Sequence, residues 1–238
     1  MRKVFLCIII ALLVTNEIYA QDKQQQKPLI VKPAKRNNPP SDAIIVFDGG
    51  NLSQFRSSNA DAPAPWRVSG SKLIVVSETG NIQTKKHFGD MQLHIEFKIP
   101  REAKNKDGQQ SGNSGIYIMG KYEIQVLNSH KNETYTDGQA GAIYDQYPPL
   151  VNASLKPGKW QEYDIIFKAP RFDKNGNMKE PPYITVFHNG VLIQNHAKVK
   201  GPTTAYNKSI PGKAEKGPLL LQDHNNEVRY RNIWIREL

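Results

Sequence analysis

From Ile44 onward the chain alternates apolar and polar residues with a period of two, and runs with helical spacing are hard to find. The clearest case is Met91-Gln92-Leu93-His94-Ile95-Glu96-Phe97-Lys98-Ile99, where every odd position is apolar and every even one polar. Successive side chains on a strand point to opposite faces, so this segment predicts a strand with one side on a core and the other on water. Similar runs occupy 72–76, 115–119, 122–127, 163–168, 183–188, 191–194, 218–222 and 228–236. Turn signals separate them: Asp48-Gly49-Gly50, Ser69-Gly70, Pro157-Gly158, Asn175-Gly176-Asn177 and Asn189-Gly190. Asn189-Gly190 is the strongest hairpin signal, because a type I′ turn needs positive φ at both central positions. Many short strands without helical intervals predict an all-β antiparallel sandwich or barrel, one domain over residues 41–238.

The first twenty residues read differently. Arg2 and Lys3 precede an apolar run over 4–14, and Ile18-Tyr19-Ala20 offers a cleavage site. The run is about a dozen residues, short of the roughly 20 needed to span a bilayer, which predicts a cleaved export signal over residues 1–20. The expected location is therefore periplasmic or secreted, with no membrane anchor after signal removal. Cys7, the single cysteine, lies inside this run, which excludes a disulfide scaffold or a multi-cysteine metal site. Residues 21–40 carry five positive charges and one negative among Gln, Pro and Asn, and read as a flexible basic leader. Of the formal net charge of +10, the signal supplies +1 and the leader +4, leaving +5 for residues 41–238. That balance, without a basic helix or an aromatic-interleaved basic motif, argues against nucleic acid as a partner.

Two stretches, 101–113 and 128–152, exceed ordinary hairpin lengths, and long loops on a rigid β scaffold are where binding and catalysis concentrate. The second contains Tyr135, Tyr144, Asp145 and Tyr147, aromatic faces and carboxylates of the kind that stack on and hydrogen-bond to sugars. Alternation places Glu123 and Gln125 on one face of their strand, and Gln92, His94 and Glu96 opposite the core face of theirs. If both polar faces line one groove, two carboxylates flank a bound sugar, the arrangement glycoside chemistry commonly uses. Otherwise Glu96 and Glu123 are ordinary solvent-facing strand residues. Gln222-Asp223-His224 follows an apolar strand, and a His beside an Asp serves as a general base, a metal ligand or a hydrogen-bonded turn residue. No HExxH, P-loop or GxGxxG motif is present.

Several segments, taken in order, resemble the 3-keto-disaccharide hydrolase domain family. They are Phe47-Asp48-Gly49, Gly89-Asp90-Met91-Gln92-Leu93, Gly112-Asn113-Ser114-Gly115-Ile116-Tyr117 and Tyr122-Glu123-Ile124-Gln125-Val126-Leu127. Gly141-Ala142-Ile143-Tyr144, Phe187-His188-Asn189-Gly190, Leu221-Gln222-Asp223-His224 and Arg231-Asn232-Ile233-Trp234-Ile235 complete the string, from about Ile44 to Leu238. The resemblance implies a concanavalin A-like jelly-roll β-sandwich of two antiparallel sheets and a carbohydrate-cleaving activity on 3-keto-glycosides. In that chemistry a C3 ketone acidifies the C2 proton, a base removes it, the C1 substituent is eliminated, and water adds. By the same resemblance Glu123, Glu96 and His224 are expected to be catalytic, and Asn113, Gln125, Tyr144, Asp145, Gln222, Asp223 and Arg231 to bind an oligosaccharide or glycoside substrate. A divalent metal near Glu123 or His224 is an option that no ligand set specifies. A conventional glycosidase acting on glucans and a non-catalytic glycan-binding module are the alternatives, since this sandwich serves lectins and enzymes alike.

Overall fold

A computed structural model describes residues 27–34, 38–203 and 214–238 of the protein. The expected signal at 1–20, and positions 21–26 and 35–37 of the expected leader, lie outside the described residues. The chain divides into two units, Met1–Lys32 and Pro33–Leu238. Of the first, residues 27–32 carry no regular secondary structure.

The second unit carries fifteen described strands. They are β1 (Ile44–Phe47), β2 (Phe55–Ser57), β3 (Arg67–Ser69), β4 (Lys72–Ile74), β5 (Ile82–Phe88), β6 (Met91–Lys98), β7 (Ser114–Ile118), β8 (Tyr122–Val126) and β9 (Trp160–Lys168). The rest are β10 (Arg171–Phe172), β11 (Met178–Glu180), β12 (Tyr183–His188), β13 (Val191–Lys198), β14 (Gly217–Leu221) and β15 (Arg229–Glu237). The larger sheet runs β13-β12-β9-β6-β15-β4-β3, with β1 also paired to β15; the smaller runs β2-β5-β14-β7-β8. β10 and β11 form a separate ribbon. The fold is an all-β, concanavalin A-like jelly-roll sandwich of two antiparallel sheets.

Alternation decides which residues lie between the sheets. Leu93, Ile95 and Phe97 of β6, with Tyr163, Ile165 and Phe167 of β9, meet Ile116, Ile118, Ile124, Leu219 and Leu221 of the smaller sheet in one core. Each such buried side chain contributes about 1.5–3 kcal/mol. Two tyrosines cross this core by their hydroxyls. Tyr163 Oη donates to the Gln125 carbonyl at 2.9 Å. Ser114 Oγ gives its proton to the Gln222 carbonyl at 2.6 Å, so Tyr230 Oη donates to Ser114 Oγ at 2.7 Å. The β12–β13 hairpin has the expected turn: Asn189 and Gly190 have φ of 51° and 78°, and His188 pairs with Val191.

β5 is a strand that the pattern hides. Its segment IQTKKHF is apolar only at its ends, and its core-facing Thr84 satisfies itself by donating to the Lys86 carbonyl and accepting from Leu219 N–H. The other face of β5 lies outside the core, so no apolar residue is required there. β7 and β8 differ from a half-exposed pair in the opposite sense, being buried on both faces.

Candidate functional site

Strand register sets one row of side chains across the outer face of the smaller sheet. Arg56 on β2 pairs with Gln83 on β5, Gln83 with Leu220 on β14, Leu220 with Tyr117 on β7, and Tyr117 with Glu123 on β8. At about 4.8 Å per strand, the row spans roughly 19 Å. Beside it, Gly115 pairs with Gln125, and Gln222 N–H donates to the Gly115 carbonyl. The neighbouring positions Ile82, Leu221, Ile116 and Ile124 point the other way, into the core. Arg56 and Lys85 help line a cavity of about 800 Å³ at the β2 end of the row.

Glu123 is the centre of the opposite end. It is 3% exposed, and burial pushes its carboxyl up to about 8, against a smaller opposing effect of the hydrogen bond from Tyr117. Room for the carboxyl comes from Gly115. A Cβ there would lie 2.3 Å from Glu123 Oε1 and 2.7 Å from Tyr117 Cε2. Tyr117 Oη also accepts from Gln222 Nε2 at 3.0 Å, which links β7, β8 and the residue that follows β14 through one phenol.

The two long loops close over this face. Residues in 141–144 pair with the free edge of β8: Gly141 N–H donates to the Gln125 carbonyl, Gln125 N–H to the Ala142 carbonyl, and Tyr144 N–H to the Glu123 carbonyl. These bonds cover a sheet edge that would otherwise present unpaired backbone groups. Tyr144 is thereby set beside Glu123, and its hydroxyl is hydrogen-bonded to that of Tyr135, whose ring is edge-on at 6.2 Å. From the other loop, Gln109 Oε1 accepts from Gln125 Nε2 at 2.9 Å and from Asn113 Nδ2 at 3.1 Å. Gln109 Nε2 donates to Thr134 Oγ1 and the Gly138 carbonyl, which ties the loops together. Two acceptors in this network, Gln125 Oε1 and Gln222 Oε1, are buried without a hydrogen-bond partner among the described residues.

Of the residues singled out from sequence, the structure brings together Glu123, Gln125, Asn113, Gln222 and Tyr144. Asp145 is exposed, with φ of 60°, and its N–H donates to the Asp137 carbonyl. Asp223 is used in turns, its carboxylate accepting from Gly80 N–H at 3.1 Å and Asn225 N–H at 3.0 Å. His224 follows it, half-buried, with its carbonyl accepting from Asn226 Nδ2.

Glu96 and Arg231 correct the expectation of a shared groove. Both belong to the larger sheet, on its outer face, and point away from the core that separates them from Glu123. Arg231 Nε donates to Glu96 Oε2 at 2.7 Å, Asn232 Nδ2 donates to Glu96 Oε1 at 3.0 Å, and the guanidinium lies 4.1 Å from the Trp160 ring centre. The polar faces of two strands share a groove when the strands share a sheet; in opposed sheets alternation turns them apart.

Sequence reasoning missed Gln109, Tyr117 and the space at Gly115. Alternation already put Gly115 and Tyr117 on the face of Glu123, whereas nothing in a loop glutamine marks Gln109. For a divalent metal the fit is poor: among the described residues no group of three or more His, Cys, Asp or Glu stands together to hold one. No step is therefore assigned to a metal.

Residues 42–236 match the model of a family described as the 3-keto-alpha-glucoside-1,2-lyase-like domain. The chain belongs to this family. It is similar, at 22% identity over 231 residues, to a 3-keto-disaccharide hydrolase of Bacteroides thetaiotaomicron, covering 82% of this chain and 78% of that one. A crystal structure of a candidate glycosyl hydrolase from Parabacteroides distasonis superposes with a TM-score of 0.83 at 40% identity, over 92% of this chain and 96% of that one. A second from the same organism gives 0.59 at 19% identity, over 82% and 94%, a likeness of fold. Membership of the 3-keto-alpha-glucoside-1,2-lyase-like family makes the protein a hydrolase-like, carbohydrate-active one.

Proposed function

We propose that the protein acts after export as an enzyme that cleaves 3-keto-glycosides, with Glu123 moving the proton at sugar C2. The observation that carries this reading is a buried carboxyl of raised pKa, next to two buried carboxamide oxygens in need of donors. A carboxyl poised near 8 exchanges protons readily at neutral pH, where an ordinary glutamate is a weak base. Orphan acceptors cost about 1–3 kcal/mol each, and the hydroxyls of a sugar satisfy them. Family membership and the name of the Bacteroides relative supply the substrate class. The basic start and apolar run of residues 2–14 support export.

In this reading the Glu123 carboxylate takes the C2 proton, made acidic by the C3 ketone, and the C2–H electron pair becomes an enolate. The enolate collapses to a C1=C2 double bond, the ketone re-forms, and the C1–O bond breaks with its electron pair on the departing oxygen. Protonated Glu123 is the proton source for that oxygen. Water then adds across the double bond, its oxygen to C1 and its proton to C2. Tyr117 orients Glu123; Gln125 and Gln222 accept sugar hydroxyls; Tyr135 and Tyr144 border the reacting ring. A two-carboxylate glycosidase is disfavoured because Glu96, the expected second acid, faces away.

The test is release of sugar from a 3-keto disaccharide and from its unoxidised parent. The keto sugar alone is expected to be cleaved, with activity rising with pH toward 8 and lost in Glu123→Gln. Cleavage of the parent, or full activity in Glu123→Gln, overturns the proposal.

A further inference from the structure

One cleft gathers six of the 25 Lys and Arg of residues 41–238. This cleft, of about 620 Å³, lies where the turn over Arg101–Asn105, the loop around 128–132 and the turn at 156–159 converge. Arg101, Lys104, Lys106, Lys131, Lys156 and Lys159 line it, against one acid, Asp107. With histidine counted as neutral, the lining has a formal charge of +5, the same as the whole sequence over 41–238, so the other formal charges of that sequence sum to zero. Among the described residues none of the six cations forms an ion pair with a carboxylate. Unpaired like charges held around a concavity repel one another, and an anion relieves that repulsion.

The cleft is built, not merely decorated. Gly158, at φ of +86°, leaves room for the arginine to lie across it; a Cβ there would be 2.5 Å from Arg101 Cγ. Gly158 N–H donates to the Ile99 carbonyl, and Lys159 N–H to the Lys156 carbonyl. Asn132, also in the lining, accepts from Gly108 N–H at 2.7 Å and donates to the Gly108 carbonyl at 3.0 Å. The next residue is Gln109, whose carboxamide holds Gln125 and Asn113 at the candidate active site. One loop therefore forms a wall of the basic cleft and part of the glycan face.

We infer that this cleft is a binding site for an anionic group on a sugar, a carboxylate or a sulfate ester, carried by a glycan. The glycan assignment rests on the carbohydrate reading above; the anion assignment does not. The volume of the cleft suits a small ligand. The lining has no Phe, Tyr or Trp on which nucleic-acid bases could stack.

The experiment measures binding by calorimetry of trigalacturonate, a sulfated chondroitin disaccharide and neutral maltotriose to the protein, to Glu123→Gln and to a Lys104→Ala/Lys106→Ala/Lys131→Ala variant. These lysines are exposed, and an unchanged thermal melt checks that the variant folds. The expected result is that one or both anionic sugars bind at least tenfold more tightly than maltotriose, more weakly as salt rises, with Glu123→Gln binding like wild type and the lysine variant at least tenfold weaker. Because the chondroitin disaccharide also carries a uronate carboxylate, its binding without that of trigalacturonate identifies the sulfate ester, and binding of trigalacturonate identifies the carboxylate. Unchanged anionic binding in the lysine variant, or no preference over maltotriose, overturns the inference. Tighter lysine-dependent binding of a single-stranded oligonucleotide or of anionic lipid vesicles overturns the glycan assignment. Absence of turnover on 3-keto sugars with anionic binding intact sinks the proposed activity and leaves the cleft standing.

Discussion

Glu123→Gln isolates the cost of burying an acid. In the folded protein the Glu123 carboxyl is held up at about 8 from its ordinary 4.5. The folded state therefore keeps a proton between these values that the unfolded chain has released. Stability is fully present below about pH 4.5, falls as pH rises toward 8, and levels off above it. At about 1.36 kcal/mol per pKa unit the loss amounts to roughly 5 kcal/mol. Glutamine fills the same space and cannot ionise, so the variant lacks this decline. The assay is urea unfolding of both proteins at pH 5, 7 and 9. Pairwise differences cancel the contribution of every other titrating group. About 4 kcal/mol of that loss falls between pH 5 and pH 9, so with a urea slope of about 2.5 kcal/mol/M the midpoint of Glu123→Gln should gain roughly 1.5 M on wild type across that range. Parallel midpoints across that range would refute the reasoning, since they would mean that the carboxyl ionises freely in the fold.

Gly115→Ala places a Cβ 2.3 Å from Glu123 Oε1, and overpacking of this kind should cost about 2 kcal/mol, a fall in Tm of roughly 4–8 °C, together with turnover; an unchanged melt with full activity would contradict it. His188, core-facing on β12 and hydrogen-bonded through Nε2 to Gln161 Oε1, is pushed down by burial from 6.5 to about 4. Its contribution is complete above pH 6.5 and is lost as pH falls through 4, about 3 kcal/mol in all. His188→Gln should flatten that acid limb in urea melts at pH 4 and 7, and an identical limb would count against it. Glu96→Gln should leave turnover unchanged while lowering stability by about 2 kcal/mol, through its weakened contact with Arg231; lost turnover with an intact fold would return Glu96 to the active site.

Alternation in 91–99 and 122–127 made both strands readable, because each has one face against a continuous apolar core. The same alternation put Glu123 and Gln125 on one side together. It could not say which sheet each strand joins, a matter of pairings between residues far apart in the chain. That is why Glu96, placed by alternation opposite the core face of its strand, and Arg231, assigned to the substrate by resemblance, are expected beside Glu123 yet stand on the other sheet. Burial of Glu123 was equally hidden, for it comes from residues 135–144 folding back on β8. The three segments of the basic cleft stand more than twenty residues apart from one another in sequence, so no single stretch of the chain carries the whole charge cluster.

The hydroxyl bridges from Tyr163 and Tyr230 fasten the backbone and side chain of the acid-bearing layer to its partner layer. The two layers are consequently unable to slide past one another, or to breathe apart, without breaking both. Motion available around Glu123 is thereby left to the covering loops. In the proposed reaction, entry and exit of a sugar become matters of loop opening, with the floor beneath acting as a fixed anvil.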